Sequence, residues 1–386
     1  MTRDYLPYNQ PSIDEDEIEA VAETLRSGWI TTGPRTAAFE QRFAAYTGAS
    51  HAIALSSATA GLHLALVAAG IGQGDEVIVP VYTFAACAHV VVQLGARPVL
   101  VDCSADDLNI DPEAVERAVT PRTKALMVVH FGGQPARMDE LLALAARHGL
   151  FVLEDAAHAV GAHYRGRPVG SIGDATAFSF YATKNLTTGE GGMLTTNRAD
   201  VEEAVRLHAL HGMSRDAWGR YGRGGSWYYQ VVAPGYKYNM SDIQAALGLG
   251  QLERLDERNA RRRALACRLT EALAGCETVE PLAVRPEIEH AWHLYVVRVR
   301  PETLTIDRDR FIEGLAERGI GTSVHFIPLH LHPYYRETLG VLPGEFPAAE
   351  AAFERAISLP LYPRMSESDI DRVAEAVRDV ACVFAR

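Results

Sequence analysis

Between about residue 50 and residue 197 the chain alternates short apolar runs with longer stretches whose apolar positions recur every three or four residues. HAIALS, EVIVP, RPVLVD, KALMVVH, FVLED, TAFSF and GGMLTT read as strands, because brief β-branched runs bounded by turn residues suit strands covered on both sides. TAGLHLALVAAG, FAACAHVVVQLG, PEAVERAVT and ARMDELLALAARHG lie between the earlier strands and carry helical spacing. This alternation predicts an α/β fold, a mainly parallel sheet with helices on both faces. Such sheets present their ligands at the carboxyl ends of the strands. The residues that end strands are therefore the first to test for chemistry.

Beyond residue 200 the pattern changes. Gly212 to Tyr238 is irregular and dense in Gly, Arg, Trp and Tyr, and irregular segments of this length usually carry function or make contacts. Ser241 to about Leu273 reads as one long helix that bridges into a second unit. That unit comprises AWHLYVVRVR, a helix around Phe311–Arg318, a strand GTSVHF, and helices near Ala348–Ala356 and Glu367–Val383. A chain of 386 residues is long for one core. The expected division is a large α/β domain over residues 1–250 and a smaller C-terminal α+β domain over residues 251–386.

Composition narrows the class. Charged residues make up 22% and hydrophobic residues 48%, as in ordinary soluble proteins, and no apolar run approaches the roughly 18–20 residues that cross a bilayer. The opening MTRDYLPYNQPSIDEDEIEA is polar and acidic, unlike a signal peptide, so a cytoplasmic protein away from membranes is expected. Net charge is −12, and the short Arg261–Arg263 run belongs to a solvated helix face, which argues against a nucleic-acid partner. A small anion is still compatible, because a local site can be positive in an acidic protein. Cys87, Cys103, Cys267, Cys276 and Cys382 are scattered without CxxC spacing, so buried thiols are expected and no metal site.

Four places combine strand ends with reactive groups. Lys184 in SFYATKNLTTGEGG follows a strand, sits among small residues and precedes Gly189, Gly191 and Gly192. A lysine that forms a Schiff base needs such a desolvated setting, which lowers its pKa; taken alone, it is more often a capping or loop residue. Asp155 ends FVLED, where a carboxylate can keep a pyridinium nitrogen protonated or simply cap a helix. His158 lies three residues on, within reach of the same ligand, although a histidine there is by default structural. In SSATAGLH small residues open a helix, so Ala58 and Thr59, with Ser179 at the end of TAFSF, are candidate phosphate contacts; a tight strand–helix turn is the plain alternative. Phe84, just past a strand, either stacks on a planar ring or belongs to the core.

The order of these features closely resembles the DegT-type family of sugar aminotransferases, which have the aspartate aminotransferase fold (PLP fold type I). The likeness covers nearly the whole chain, through SGWITTGPRTAAFE, SSATAGLHLAL, GDEVIVPVYTF, EDAAHAVGAHYRGRPVGSIGD, FSFYATKNLTTGEGG, PGYKYNMSDIQAALGLGQL and GIGTSVHF. EDAAHA, PGYKYN and HAWHLYVVRV lean towards the branch that makes UDP-4-amino-4-deoxy-L-arabinose and similar 4-aminotransferases. The resemblance implies pyridoxal 5'-phosphate held as a Schiff base on Lys184, with Asp155 as its catalytic partner. It further implies a UDP- or dTDP-4-keto sugar as acceptor, and L-glutamate as donor leaving as 2-oxoglutarate. A homodimer with shared active sites is implied too, with Lys237 reaching the neighbour's phosphate and Asn239 beside it. Trp29, Thr31, Gly33, His325 and the weaker His330 are implied as substrate contacts.

This chain departs from many relatives in carrying His158 where they have Gln, Lys237 where they have Asn, and Asn239 where they have Arg. Arg215, Arg220 and Arg223 are candidates for the donor carboxylate. Amination at sugar C3 or of a keto-inositol, and a cofactor-binding protein without turnover, stay open as alternatives. A sugar C3-dehydratase of the same family would have His in place of Lys184.

Overall fold

The computed structural model describes residues 5–213 and 228–386. Arg215, Arg220 and Arg223 lie outside them, as do Trp218, Tyr221 and Trp227 of the aromatic-rich segment.

Helices α1 (Glu15–Ser27) and α2 (Pro34–Thr47) precede the first strand. Then β1 (His51–Leu55), α3 (Ala58–Ala68), β2 (Glu76–Pro80), α4 (Ala86–Gln93), β3 (Arg97–Val101), α5 (Pro112–Ala118), β4 (Thr123–Val129), α6 (Met138–His148) and β5 (Phe151–Asp155) alternate as the sequence pattern predicts. The short strands β6 (His163–Tyr164) and β7 (Arg167–Pro168) form a small hairpin before β8 (Ala175–Ser179), β9 (Gly192–Thr196) and α7 (Ala199–Ala209). The central sheet has the order β1-β9-β8-β5-β4-β2-β3. All its neighbours run parallel except β9, which is antiparallel to both β1 and β8. β2 and β5 are buried at every position, the continuous burial that strands covered on both faces require. Helix α3 is buried from Ala60 to Leu66 because it lies under the sheet on one side and against α4 and α7 on the other.

The long helix expected from Ser241 is two helices, α8 (Asp242–Glu253) and α9 (Leu255–Ala272), broken at Arg254. The break has a packing cause. α8 lies on α1 and α2, and its Leu249 and Leu252 join a core with Phe39 and Phe43. Along α9, Leu265, Ala266 and Leu269 enter a different core, against α13 (Glu367–Val383) and a second sheet. One straight helix would not present both faces, and Arg254 at the bend pairs with Asp14 and Asp16.

That second sheet has the order β10 (Val279–Pro281), β12 (Tyr295–Val299), β13 (Ala356–Leu359), and β11 (Ile288–Glu289) adds to the β6–β7 hairpin. Helices α10 (Arg308–Glu317), α11 (Pro333–Leu339) and α12 (Pro347–Arg355) complete the C-terminal part. GTSVHF is not a strand. Only Ser323 pairs, with Ser358, after which the segment leaves β13 and turns towards the large sheet. The amino-terminal segment ties the two parts together, because Leu6 pairs with Ile320 while α1 packs on α8.

Candidate active site

The carboxyl ends of the strands, the start of α3 and the segment around Phe326 enclose a cavity of about 490 Å³. Lys184, Asp155, His158, Ala58, Thr59, Phe84, Ser179 and His325 all line it. Tyr8, Asn9, His293 and Phe326 line it too; the last two lie within HAWHLYVVRV and GTSVHF, whose local spacing does not mark them as contacts.

Lys184 sits in the connection between β8 and β9, where its amide donates to Tyr181 O at 2.9 Å. The next residue anchors this turn. Asn185 donates to Asn259 Oδ1 at 2.9 Å and to Ala291 O at 2.7 Å, and its own oxygen lies 3.1 Å from His293 Nδ1. The glycines after the lysine have separate reasons. Gly189 has φ of +78°, and a Cβ on Gly192 would come within 2.3 Å of Ser57 C, where β9 passes the start of α3. Burial pushes the Lys184 amine down to about 8, against the opposing pull of the Asp155 charge. Among the described residues it is the only Lys or Arg lining the cavity.

Asp155 ends β5 with both carboxylate oxygens already engaged: Oδ1 accepts from the Ala157 amide at 2.9 Å and Oδ2 from the Cys87 thiol at 3.0 Å. His158 Nδ1 accepts the Gly132 amide at 3.3 Å, so its proton sits on Nε2. Asn185 already donates through its nitrogen, so His293 must carry its proton on Nδ1. The two rings lie 4.4 Å apart, and burial, followed by the Lys184 charge, holds both well below the usual histidine range. His325, hydrogen bonded through Nδ1 to Ser358 Oγ at 2.8 Å, is pushed down to about 4, mainly by burial. Three neutral imidazoles therefore face one amine. They can donate or accept hydrogen bonds there without adding charge.

The remaining candidates lie elsewhere in the same chain. Lys237 is exposed, with its backbone paired to Leu210. Asn239 donates to Thr32 Oγ1 at 2.7 Å and lines, with Gly33, a separate cavity of about 570 Å³ that includes Thr32, Thr36, Glu40 and Arg206. Buried Asp242 organises that region, accepting from the amides of Gly33, Arg35 and Thr36. Trp29 covers Gly33 and donates to Thr32 O, while Thr31 contributes its carbonyl to the Asp242 amide. None of these lines the lysine cavity of its own chain. His330 does not either: it is fully buried with Nε2 2.8 Å from Glu350 Oε1, five residues beyond the point where the GTSVHF segment faces the cavity.

The cavity fits pyridoxal 5'-phosphate by its donor set. The first amides of α3 have no partner within their own helix and face the cavity at Ala58 and Thr59, beside the Ser179 hydroxyl, as an anion requires. A carboxylate for a ring nitrogen and an amine of lowered pKa for an aldehyde share the same walls. A flat ring also finds Phe84, His158 and Phe326 there, with His158 and Phe326 stacked at 5.8 Å.

Comparison with known proteins gives the family. The chain is 54% identical over 377 residues to the spore coat polysaccharide biosynthesis protein SpsC of Bacillus subtilis, covering 97% of each chain. Streptococcus pneumoniae Spr1654, provisionally named a sugar aminotransferase, has been solved in a PLP-form and a PMP-form. Each superposes with a TM-score of 0.92 at 38% identity, over 98% of this chain and 99% of the other. S. venezuelae DesV, solved with a ketimine intermediate, matches with a TM-score of 0.88 at 38% identity over 97% of this chain and 99% of its own. A model of the DegT/DnrJ/EryC1/StrS aminotransferase family spans residues 11–378, and the chain belongs to that family.

Proposed function

We propose that this sugar aminotransferase, which works with pyridoxal 5'-phosphate, moves an amino group from L-glutamate to the ketone of a UDP- or dTDP-linked 4-keto sugar. The observation that carries the reading is the convergence of Lys184, Asp155 and the start of α3 on one cavity that Tyr8, His325 and Phe326 also line. Neutral hydrogen-bonding groups among aromatic rings suit a sugar. The exposed rings of Phe84 and Tyr181 at the rim offer flat surfaces to a nucleotide.

Bound here, the cofactor supplies an aldehyde that takes up the amino group and a ring that accepts an electron pair. The chain's own residues do the rest. The amides at Ala58 and Thr59 and the hydroxyl of Ser179 would hold the phosphate, and Asp155 would keep the proton on the ring nitrogen. His158 has its Nε2 proton to offer to an oxygen on the ring. The Lys184 amine, neutral above about pH 8, is free to take a proton from the donor carbon and return it to the neighbouring one. Donor and acceptor would use the cavity in turn, in a ping-pong order, and His325 would approach the sugar.

Several exposed apolar groups support a homodimer. Tyr228, Tyr229, Val231 and Val232 are all exposed and lie just before Lys237, which is exposed and does not line its own cavity. In a two-fold dimer that lysine would complete the partner's phosphate site. A cytoplasmic location belongs to the same reading, and no helix among the described residues is long and apolar enough to cross a membrane.

UDP- and dTDP-4-keto sugars incubated with glutamate should each be screened by mass spectrometry. The expected result is a 4-amino sugar and an equal amount of 2-oxoglutarate. Product formed only from a 3-keto sugar or a keto-inositol would replace the substrate assignment. A cofactor that glutamate never discharges would remove the enzyme reading as well.

The low Lys184 pKa has a kinetic signature. Capture of the cofactor by the apo-protein, trapped with borohydride, should speed up with pH and level off above about 8, because the neutral amine is the nucleophile. A rate still climbing towards the ordinary lysine value of about 10.5 would show that the amine is not desolvated.

A further inference from the structure

Cys87 lies on α4, fully buried, with its sulfur against the catalytic carboxylate. Sγ is 3.0 Å from Asp155 Oδ2 and 3.2 Å from Thr83 Oγ1. A thiol carries one hydrogen, and a carboxylate accepts only. The thiol proton therefore goes to Asp155, and the Thr83 hydroxyl donates to the sulfur. Thr83 is itself buried, so the three groups form a closed line of donors running from the end of β2 to the end of β5. Burial, reinforced by the Asp155 charge, keeps the thiol well above its ordinary range, so it stays a donor.

We propose that Cys87 is a positioning residue, whose thiol fixes the Asp155 carboxylate in the orientation that meets the cofactor's ring nitrogen. The inference rests on the reading of Asp155 given above. With the Ala157 amide on Oδ1 and the thiol on Oδ2, rotation about the Cβ–Cγ bond would break both contacts. Each oxygen keeps a lone pair for the cavity side. The choice of sulfur matters. S–H is a weak donor, so it holds the carboxylate while drawing little of the basicity that must keep a proton on the ring.

The S–H stretching band reads this contact directly, because bonding to a carboxylate lowers its frequency. In the apo-protein, the difference spectrum between wild type and Cys87→Ala isolates this thiol from the other four. It should show a band below that of an unbonded thiol, and Asp155→Ala should raise it. Loading wild type with pyridoxal 5'-phosphate should also raise it, as the ring proton takes a share of the carboxylate. Cys87→Ala should release cofactor roughly three- to tenfold faster, the scale of one weak hydrogen bond, and Cys87→Ser should restore most of the loss. An apo-protein band at the unbonded position, unmoved by Asp155→Ala, overturns the thiol contact itself. A low band that ignores cofactor loading overturns Asp155 as the ring partner, and the inference falls with it. Cofactor release unchanged in Cys87→Ala would mean that the contact positions nothing.

Discussion

Lys184→Ala should lose transamination by a factor on the order of 10^4 or more, since one substitution removes both the attacking amine and the group that moves the proton. Cofactor should still be found non-covalently bound, because the start of α3, Ser179 and Asp155 are untouched. The whole chain contains only three lysines, Lys124, Lys184 and Lys237. Lys124 is exposed on β4 and Lys237 is exposed beside Leu210, so borohydride reduction has one target inside the cavity and two on the surface. Attachment at either surface lysine would overturn the assignment. The same variant tests the shared site. Mixed with a Lys237→Ala chain, it should form hybrid dimers with one doubly altered site and one intact site, so activity returns on exchange between two inactive proteins. If mass measurement confirms exchange and no activity returns, Lys237 serves its own subunit.

Asp155→Asn should keep the fold and lose at least about two orders of magnitude in rate. The side chain keeps its shape, and the amide oxygen can still accept from Ala157 or Cys87, so thermal unfolding should move little. What disappears is the negative charge that would hold a proton on the ring nitrogen. Steady-state rates together with melting curves separate the two effects. Near-normal turnover would mean that the nitrogen has another partner.

How much of this was legible in the sequence follows from where each contact originates. The seven strands of the central sheet could be read because each carries a short apolar stretch bounded by turn residues, and Asp155 and Lys184 stood out because they follow such stretches. Contacts made across long sequence separations were not legible. Asn9 reaches Thr183, Cys87 reaches Asp155 and His293 reaches Asn185, and no local pattern marks any of them. HAWHLYVVRV stood out as a motif, yet the tautomer of His293 is set by an asparagine 108 residues earlier. The break at Arg254 was hidden because both helices have helical spacing and only the change of core between them demands a bend. His330 looked reactive because the sequence does not reveal that its ring is buried against Glu350.

The anchoring of the Lys184 turn bears on when the enzyme becomes competent during its synthesis. Asn185 takes its three partners from Asn259, Ala291 and His293, separated from it by 74, 106 and 108 residues. At roughly 5–20 residues per second, a ribosome needs about 5–20 seconds to add that length. During that interval the central sheet is already fully translated, but its lysine hairpin lacks the contacts that hold it. A nascent chain can thus own Lys184 and Asp155 before anything fixes the turn that carries the lysine. Placement of that lysine waits until residues 259–293 have emerged and docked.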